Sequence, residues 1–158
     1  MTRPATPPAI RVSRIIKAPR AKLYAACLDP AALATWRAPD RMSATVHSFD
    51  PRIGGTYRMS LTYRDPKRGP GGKTTPDTDS FTGRFIDLVP DEKIVELVEF
   101  ETTDPGYAGA MTITTCFQAV DGGTNVTMAF EGLPPGIRPE DNETGTRQAL
   151  AKLAALVE

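Results

Sequence analysis

The residues best suited to acid–base chemistry are a lone histidine and a carboxylate set within an apolar segment. His47 is the only histidine in the 158-residue chain, and an unperturbed imidazole titrates close to neutral pH. Glu96 belongs to a strand-like run whose side chains alternate between two faces. If Glu96 shares an inward face with Ile94 and Val98, its carboxylate must be paired, hydrogen-bonded or protonated. In the opposite register Glu96 faces solvent, so both orientations stay open.

A positioned acid or base in a shaped cavity is sufficient for cyclase or dehydratase chemistry. The groups available for it are Glu96 and His47, together with the phenols of Tyr57 and Tyr63. The sequence has no serine or cysteine nucleophile in a recognisable elbow motif. Catalysis is therefore an alternative function, and it depends on whether these groups face the same cavity.

A nucleotide site is not predicted, although one segment is similar to a phosphate-binding loop. The run Gly71-Gly72-Lys73-Thr74 lacks the glycine that the motif requires five residues before its second glycine, where Lys67 stands. The motif also needs a following helix whose N-terminus meets the phosphates, and here Pro76 and a strand follow.

The two cysteines, Cys27 and Cys116, are not spaced as metal ligands, and a single histidine cannot complete a zinc site with them. We predict that both are buried, reduced thiols of the core. A disulfide between them would instead suit an oxidising compartment. The sequence leads us to expect no metal and no cofactor.

Charge and hydropathy narrow the classes of partner. Lys+Arg and Asp+Glu both number 19, so the net charge is zero. This balance argues against nucleic acid and against a polybasic membrane surface. No apolar run approaches the roughly 20 residues that span a bilayer, and the Pro-rich start lacks an apolar signal core. We expect a cytoplasmic protein without nucleic-acid or membrane partners, and a homodimer stays open.

The hydrophobic periodicity predicts one strand, two short helices, about six further strands and one long helix. Turn signals rich in Gly, Pro and Asp separate the later strands, which is typical of successive antiparallel hairpins. The predicted strands cover residues 10–16, 43–49, 56–63, 81–88, 93–101, 110–120 and 124–131, and the predicted helices cover residues 19–28, 31–36 and 141–157.

One long helix cannot cover a flat sheet of about seven strands, so the sheet must curve around that helix. The gap between them is a natural cavity. The predicted fold is therefore α+β, with a curved antiparallel sheet around the C-terminal helix. Residues 1–8 are expected to form a flexible arm, residues 9–158 a single domain, and residues 64–80 a functional lid or a disordered hairpin tip.

Several short motifs follow one another in a characteristic order. They are Ile15-Ile16-Lys17-Ala18-Pro19 leading into Leu23-Tyr24, Asp29-Pro30 followed by Leu33 and Trp36, Phe49-Asp50-Pro51-Arg52-Ile53-Gly54-Gly55-Thr56-Tyr57-Arg58, Phe81-Thr82-Gly83-Arg84-Phe85, Leu88-Val89-Pro90, Asp121-Gly122-Gly123-Thr124-Asn125-Val126-Thr127 and Leu150-Ala151-Lys152-Leu153. In these motifs the chain resembles the START-like (SRPBCC) superfamily. Within that superfamily it resembles the homologues of the activator of the ninety-kilodalton heat-shock protein ATPase. The resemblance implies a helix-grip fold. Gly145-Thr146 departs from the Gly-Trp that this family often has at the start of the last helix.

The resemblance and the aromatic and methionine-rich stripes together lead us to expect a small-molecule binding protein with an internal apolar cavity. The candidate catalytic residues are Glu96, His47 and Tyr57. The candidate ligand-binding residues are Trp36, Tyr57, Met59, Tyr63, Phe81, Phe85, Glu96, Val98, Phe100, Met111, Ile113, Met128, Thr146 and Leu150.

Two other functions stay open. An enzyme of the polyketide cyclase or dehydratase type is the alternative function, and a chaperone ATPase activator is a third possibility that the resemblance alone implies.

Four arginines, Arg37, Arg52, Arg58 and Arg84, are scattered along the chain, and most of them are interpreted as solvated surface charges.

Overall fold

The computed structural model describes residues 10–65 and 72–158, so the predicted arm at residues 1–8 lies outside the described residues. The elements are one strand, two short helices, six strands and a long helix. In chain order they are β1 (Ile10–Ile16), α1 (Arg20–Cys27), α2 (Pro30–Trp36), β2 (Met42–Phe49), β3 (Thr56–Tyr63), β4 (Thr78–Val89), β5 (Lys93–Phe100), β6 (Ala110–Val120), β7 (Gly123–Glu131) and α3 (Pro139–Val157).

The seven strands form one antiparallel sheet in the order β1-β7-β6-β5-β4-β3-β2. Every neighbouring pair except β1 and β7 consists of strands consecutive in the chain, as expected for a series of hairpins. Apolar side chains at alternate strand positions are buried, and the residues between them are more exposed. The sheet curls into a half-barrel around α3, so the predicted α+β helix-grip architecture is confirmed.

The short helices begin at prolines, or directly after one, for a local reason. Pro19 is the N-cap of α1, and Pro30 occupies the first turn of α2, where the missing N–H leaves no intrahelical bond unmade. The Asp29 carboxylate accepts a hydrogen bond from the backbone N–H of Ala31 at 3.0 Å and so caps α2. The Asp29-Pro30 pair therefore both ends α1 and starts α2.

Helix α3 grips the sheet mainly through its C-terminal half. Leu153 and Val157 are buried there, and the helix packs against β1, α1 and α2. Two polar contacts fix the linker after α2 to α3: Lys152 Nζ donates to the Ala38 carbonyl at 2.7 Å, and the Asp40 N–H donates to Gln148 Oε1 at 3.1 Å. These contacts hold the residues that follow Trp36 close to the helix.

Two predicted boundaries are corrected by the structure. Strand β4 begins at Thr78 rather than residue 81, because the chain turns back through a Thr75–Thr78 bridge and pairs with β3 from Thr62 onward. Helix α3 begins at Pro139 with Arg138 as N-cap, two residues before the predicted start at residue 141, and the carboxylates of Glu140 and Asp141 lie in its first turn.

The prediction that both cysteines are buried is wrong for Cys116. Cys27 is buried in α1, whereas Cys116 is exposed on β6. The reason is the strand alternation, because Thr115 and Phe117 on either side of Cys116 are buried, so the side chain between them points outward. Burial raises the pKa of the Cys27 thiol to about 12, with the negative Glu96 adding to the effect and Arg37 opposing it.

Native thiol titration checks this difference between the two cysteines. We expect Ellman's reagent to modify about one thiol per folded chain, because a buried thiol with a raised pKa supplies little thiolate. The Cys116→Ser variant should lose the fast reaction, and Cys27→Ser should retain it. Two thiols that react equally fast in the native protein would contradict the burial of Cys27.

Candidate ligand-binding pocket

A pocket of about 220 Å³ opens between the sheet and the N-terminal half of α3, and we call it the inner pocket. Its lining is mainly apolar, with a few ionisable and amide side chains. The lining residues are Arg37, Pro39, Met42, Leu61, Tyr63, Lys73, Asp79, Phe81, Val98, Phe100, Met111, Ile113, Met128, Phe130, Ile137, Asp141, Asn142, Gly145, Thr146 and Ala149.

A wider concavity of about 630 Å³, here called the vestibule, lies beside the inner pocket. The two share residues such as Pro39, Tyr63 and Gly145, so the vestibule lies at the mouth of the inner pocket. Its further lining residues are largely polar, and they include Arg138 and Gln148. The vestibule therefore adds several polar side chains at the mouth of a mainly apolar pocket.

The inner pocket exists because α3 and the sheet are in close contact at only one end of the helix. The α3 residues that line it, from Asp141 to Ala149, all belong to the first eleven residues of the helix. The later residues Leu153 and Val157 are buried against β1 and the short helices. The opposite wall comes from inward-facing residues of β2 to β7.

An ion pair anchors the chain before β4 to one side of the pocket. Lys73 donates to the Asp79 carboxylate twice, from its backbone N–H at 2.7 Å and from Nζ at 2.9 Å. Lys73 Nζ also lies 5.2 Å from the ring centre of Phe100 and 5.5 Å from that of Tyr107, within the range of cation–π attraction. The described part of the predicted 64–80 loop is thus held against the sheet at Lys73.

A second buried polar group lies around Glu96. Tyr57 Oη donates a hydrogen bond to Glu96 Oε1 at 2.7 Å, and Arg37 Nη1 lies 4.0 Å from Glu96 Oε2. Glu96 is only 5% exposed, so the structure selects the inward orientation of the two that the sequence allows. Val98, two residues further along β5, lines the inner pocket, whereas Glu96 lies beside Tyr57 and Arg37.

The electrostatics of this group favour a neutral phenol and a charged guanidinium. Burial, and then the negative charge of Glu96, raise the pKa of Tyr57 well above its ordinary value. Burial by itself acts to lower the pKa of Arg37, but Glu96, with Tyr57 and Cys27, outweighs it and raises that pKa. Arg37 is therefore a permanent cation whose charge Glu96 balances.

The residues proposed from the sequence fall into two sets. Eight line the inner pocket, namely Tyr63, Phe81, Val98, Phe100, Met111, Ile113, Met128 and Thr146. The other six, Trp36, Tyr57, Met59, Phe85, Glu96 and Leu150, are buried in the core without lining it. Trp36, for example, donates from Nε1 to the Ala26 carbonyl at 3.1 Å and joins α1 to α2.

His47 lies on the other side of the sheet from the inner pocket. It occupies a bulge in β2, and its side chain is exposed while Nε2 lies 2.7 Å from Ser60 Oγ. Ser60 Oγ is in turn 2.7 Å from Ser80 Oγ on the next strand. The structure therefore does not bring the three catalytic candidates together, since only Tyr57 and Glu96 are in contact.

Sequence reasoning missed several polar residues of the pocket. Arg37 is one of four arginines of which most are interpreted as solvated, but its side chain is only 13% exposed and it lines the inner pocket. Lys73, Asp79 and Asn142 were also missed. The available signal for Arg37 was its position directly after Trp36, the last residue of an apolar helix packed on the core.

Two negative findings apply to residues 10–65 and 72–158. Within them no three His, Cys, Asp or Glu side chains are grouped closely enough to hold a metal ion. Their helices are also too short or too polar to cross a bilayer.

The curled antiparallel sheet around a C-terminal helix defines a helix-grip domain of the START-like (SRPBCC) type. Comparison with protein families narrows this class, because residues 17–158 match the family described as Activator of Hsp90 ATPase homolog 1-like protein. The chain belongs to that family.

Solved structures agree with this assignment. A crystal structure of a Chromobacterium violaceum protein is 35% identical, with a TM-score of 0.82 over 94% of this chain and 96% of that one. A Rhodobacter sphaeroides protein, 23% identical, and the AHSA1-like protein from Aeromonas hydrophila, 19% identical, share the fold. For the Rhodobacter sphaeroides protein the TM-score is 0.72, over 96% of this chain and 95% of that one. For the Aeromonas hydrophila protein the TM-score is 0.68, over 92% of this chain and 89% of that one. No functionally curated protein is significantly similar to the chain.

Proposed function

We propose that the protein binds a small, largely apolar molecule in the inner pocket. The observation that carries the proposal is the pocket itself, which is lined by apolar side chains from the six strands β2 to β7 and opens to a vestibule. Its volume of about 220 Å³ exceeds the roughly 150 Å³ of an engineered cavity that holds benzene. It is smaller than the roughly 300 Å³ at which pockets for drug-sized ligands begin, so the proposed ligand has one or two rings.

Methionine methyl groups provide the direct test. Met42, Met111 and Met128 line the inner pocket, whereas Met59 is buried elsewhere in the core. Titration of methyl-¹³C-methionine protein with naphthalene should shift the first three signals and leave that of Met59 nearly unchanged. Saturable shifts confined to the pocket methyls support the proposal. The absence of shifts with naphthalene and other one- and two-ring compounds would end it.

A variant that fills the pocket is expected to prevent binding. Thr146 is buried on α3 and lines the inner pocket. The Thr146→Trp side chain should occupy the space that naphthalene would use, so the methyl shifts on titration should disappear. Ala155→Trp is the matched control, because Ala155 is exposed on the same helix. Binding retained by Thr146→Trp would place the ligand elsewhere.

The other two functions have less support. Of the residues considered for catalysis, only Tyr63 lines the inner pocket, while the Glu96 carboxylate accepts from Tyr57 and His47 lies on the outer face. Activation of a chaperone ATPase rests on the description of the family alone. Binding of a small molecule is therefore the function that we advance.

A further inference from the structure

We infer that Arg37 anchors the ligand by donating hydrogen bonds to an uncharged acceptor oxygen, which assigns the ligand to small apolar carbonyl compounds. This inference rests on the proposed function, because it concerns a molecule in the inner pocket. It adds a residue that determines specificity and a chemical class for the ligand.

The first observation is that the Arg37 guanidinium has donors to spare. A guanidinium carries five N–H donors. Its closest charged partner, Glu96 Oε2, lies 4.0 Å from Nη1, which is an electrostatic pairing beyond hydrogen-bond length. The other carboxylate oxygen, Oε1, already accepts from Tyr57 at 2.7 Å. Within residues 10–65 and 72–158, the guanidinium makes no hydrogen bond to another residue.

The second observation is the position of these donors. The Arg37 side chain is 13% exposed and lines the inner pocket. A polar donor in an apolar enclosure is costly when it lacks an acceptor. An oxygen of a bound ligand would supply the acceptor that the protein does not. Because arginine can only donate, the matching group on the ligand must be an acceptor.

Asn142 adds an independent indication from the α3 side of the same pocket. It lies in the first turns of α3 and lines the same pocket, and its side-chain Nδ2 is buried without a hydrogen-bond partner. Buried amide nitrogens are rarely left without a partner in folded proteins. Two residues of the pocket lining, Arg37 and Asn142, therefore carry donors that the protein leaves without an acceptor.

The charges around the inner pocket decide whether the polar group of the ligand is a neutral oxygen or a carboxylate. Arg37 and Lys73 are positive, but Asp79, Asp141 and Glu96 around them are negative. Glu96 already balances Arg37, and Asp79 pairs directly with Lys73. A carboxylate in the pocket would add a fourth negative charge to a weakly solvated site and would be disfavoured. A ketone, aldehyde, ester or amide oxygen meets the donors without that cost.

Three naphthalenes of nearly equal shape test the inference on the unmodified protein. They are 2-acetylnaphthalene, 2-isopropenylnaphthalene, in which a CH₂ group replaces the carbonyl oxygen, and 2-naphthoate. Calorimetry should give the ketone about tenfold to a hundredfold tighter binding than the alkene, the range for a hydrogen bond to a charged donor. Burial alone would favour the more apolar alkene, so the two explanations predict opposite orders.

The carbonyl stretch of the bound ketone reports the contact itself. With ¹³C-carbonyl 2-acetylnaphthalene, we expect the infrared band to move to lower frequency on binding to the unmodified protein. The double variant Arg37→Met/Glu96→Gln removes both charges and leaves Tyr57 an acceptor, so it should lose both the shift and the preference for the ketone. Arg84→Met, which alters an exposed arginine, is the matched control and should behave like the unmodified protein.

The outcomes separate this inference from the proposed function. If none of the three compounds binds, the proposed function fails and the inference fails with it. If the ketone and the alkene bind equally well, the pocket binds apolar molecules but Arg37 is not the anchor. If 2-naphthoate binds most tightly, the neutral class is wrong. The comparison of ligands uses unmodified protein, so it decides the matter even if the double variant does not fold.

Discussion

Replacement of Glu96 by alanine is expected to lower the free energy of unfolding by about 3–5 kcal/mol, the usual loss when one partner of a buried ion pair is removed. Glu96 is 5% exposed, and Arg37 and Tyr57 both depend on its carboxylate. Without it the guanidinium is buried uncompensated and the phenol has lost its acceptor. Urea unfolding followed by circular dichroism measures the change.

Two comparisons isolate the cause of that loss. Glu99→Ala removes an exposed carboxylate from the same strand and should change the stability by less than about 0.5 kcal/mol. Glu96→Gln keeps an acceptor for Tyr57 but not the negative charge, so its stability should fall between those of the unmodified protein and Glu96→Ala. Equal effects of Glu96→Ala and Glu99→Ala would show that the buried group contributes little.

Gly83→Ala is the second substitution for which we expect a large effect, a loss of about 3 kcal/mol or more from overpacking. Gly83 on β4 pairs with Tyr57 on β3, and a Cβ at residue 83 would overlap the Tyr57 ring. The ring cannot move aside easily, because Phe81 and Phe85 pack around it with ring centres 6.3 and 5.4 Å away. Displacement of the ring would also break its hydrogen bond to Glu96.

A double-mutant cycle tests this mechanism. In a Tyr57→Leu background the ring is absent, so Gly83→Ala should cost much less than it does in the unmodified protein. Thr82→Ala, at the exposed neighbouring position of β4, is the control and should be nearly neutral. Additive effects of Gly83→Ala and Tyr57→Leu would indicate that the glycine is required for another reason. Thermal and urea unfolding both report the result.

The substitutions at Glu96 and Gly83 affect residues that lie behind the inner pocket, not residues that line it. Glu96 and Tyr57 do not line the inner pocket, but Glu96 balances the charge of Arg37, which does. Gly83 in turn leaves the space that the Tyr57 ring occupies. A loss at either position should therefore disturb the charge environment of Arg37 as well as the stability of the fold.

The sheet and its inward faces could be predicted because strand alternation is a local property. The run Thr56–Tyr63 alternates apolar and polar residues, and the structure buries Tyr57 and Met59 as that pattern requires. The start of β4 could not be predicted in this way. The segment before Phe81 is rich in Thr, Asp and Ser, and its strand pairing comes from the neighbouring β3.

The polar side of the pocket could not be predicted from local pattern for a similar reason. Lys73 belongs to a Gly- and Pro-rich segment without periodicity, yet it reaches Asp79 six residues later and lies over Phe100 from another strand. Whether an arginine such as Arg37 is buried depends on what packs over it. The groups whose charges act on Arg37 include Glu96 and Tyr57, which are 59 and 20 residues away in the chain.

The sequence by itself determined the order of the elements, the antiparallel hairpins and the family, because these follow from residue periodicity, turn chemistry and short motifs. Only the tertiary structure decided that Glu96 faces inward, that Arg37 is buried beside it and that the N-terminal half of α3 leaves an open space. The physical reason is that a pocket forms where two packed surfaces diverge. That divergence depends on contacts between residues far apart in the chain.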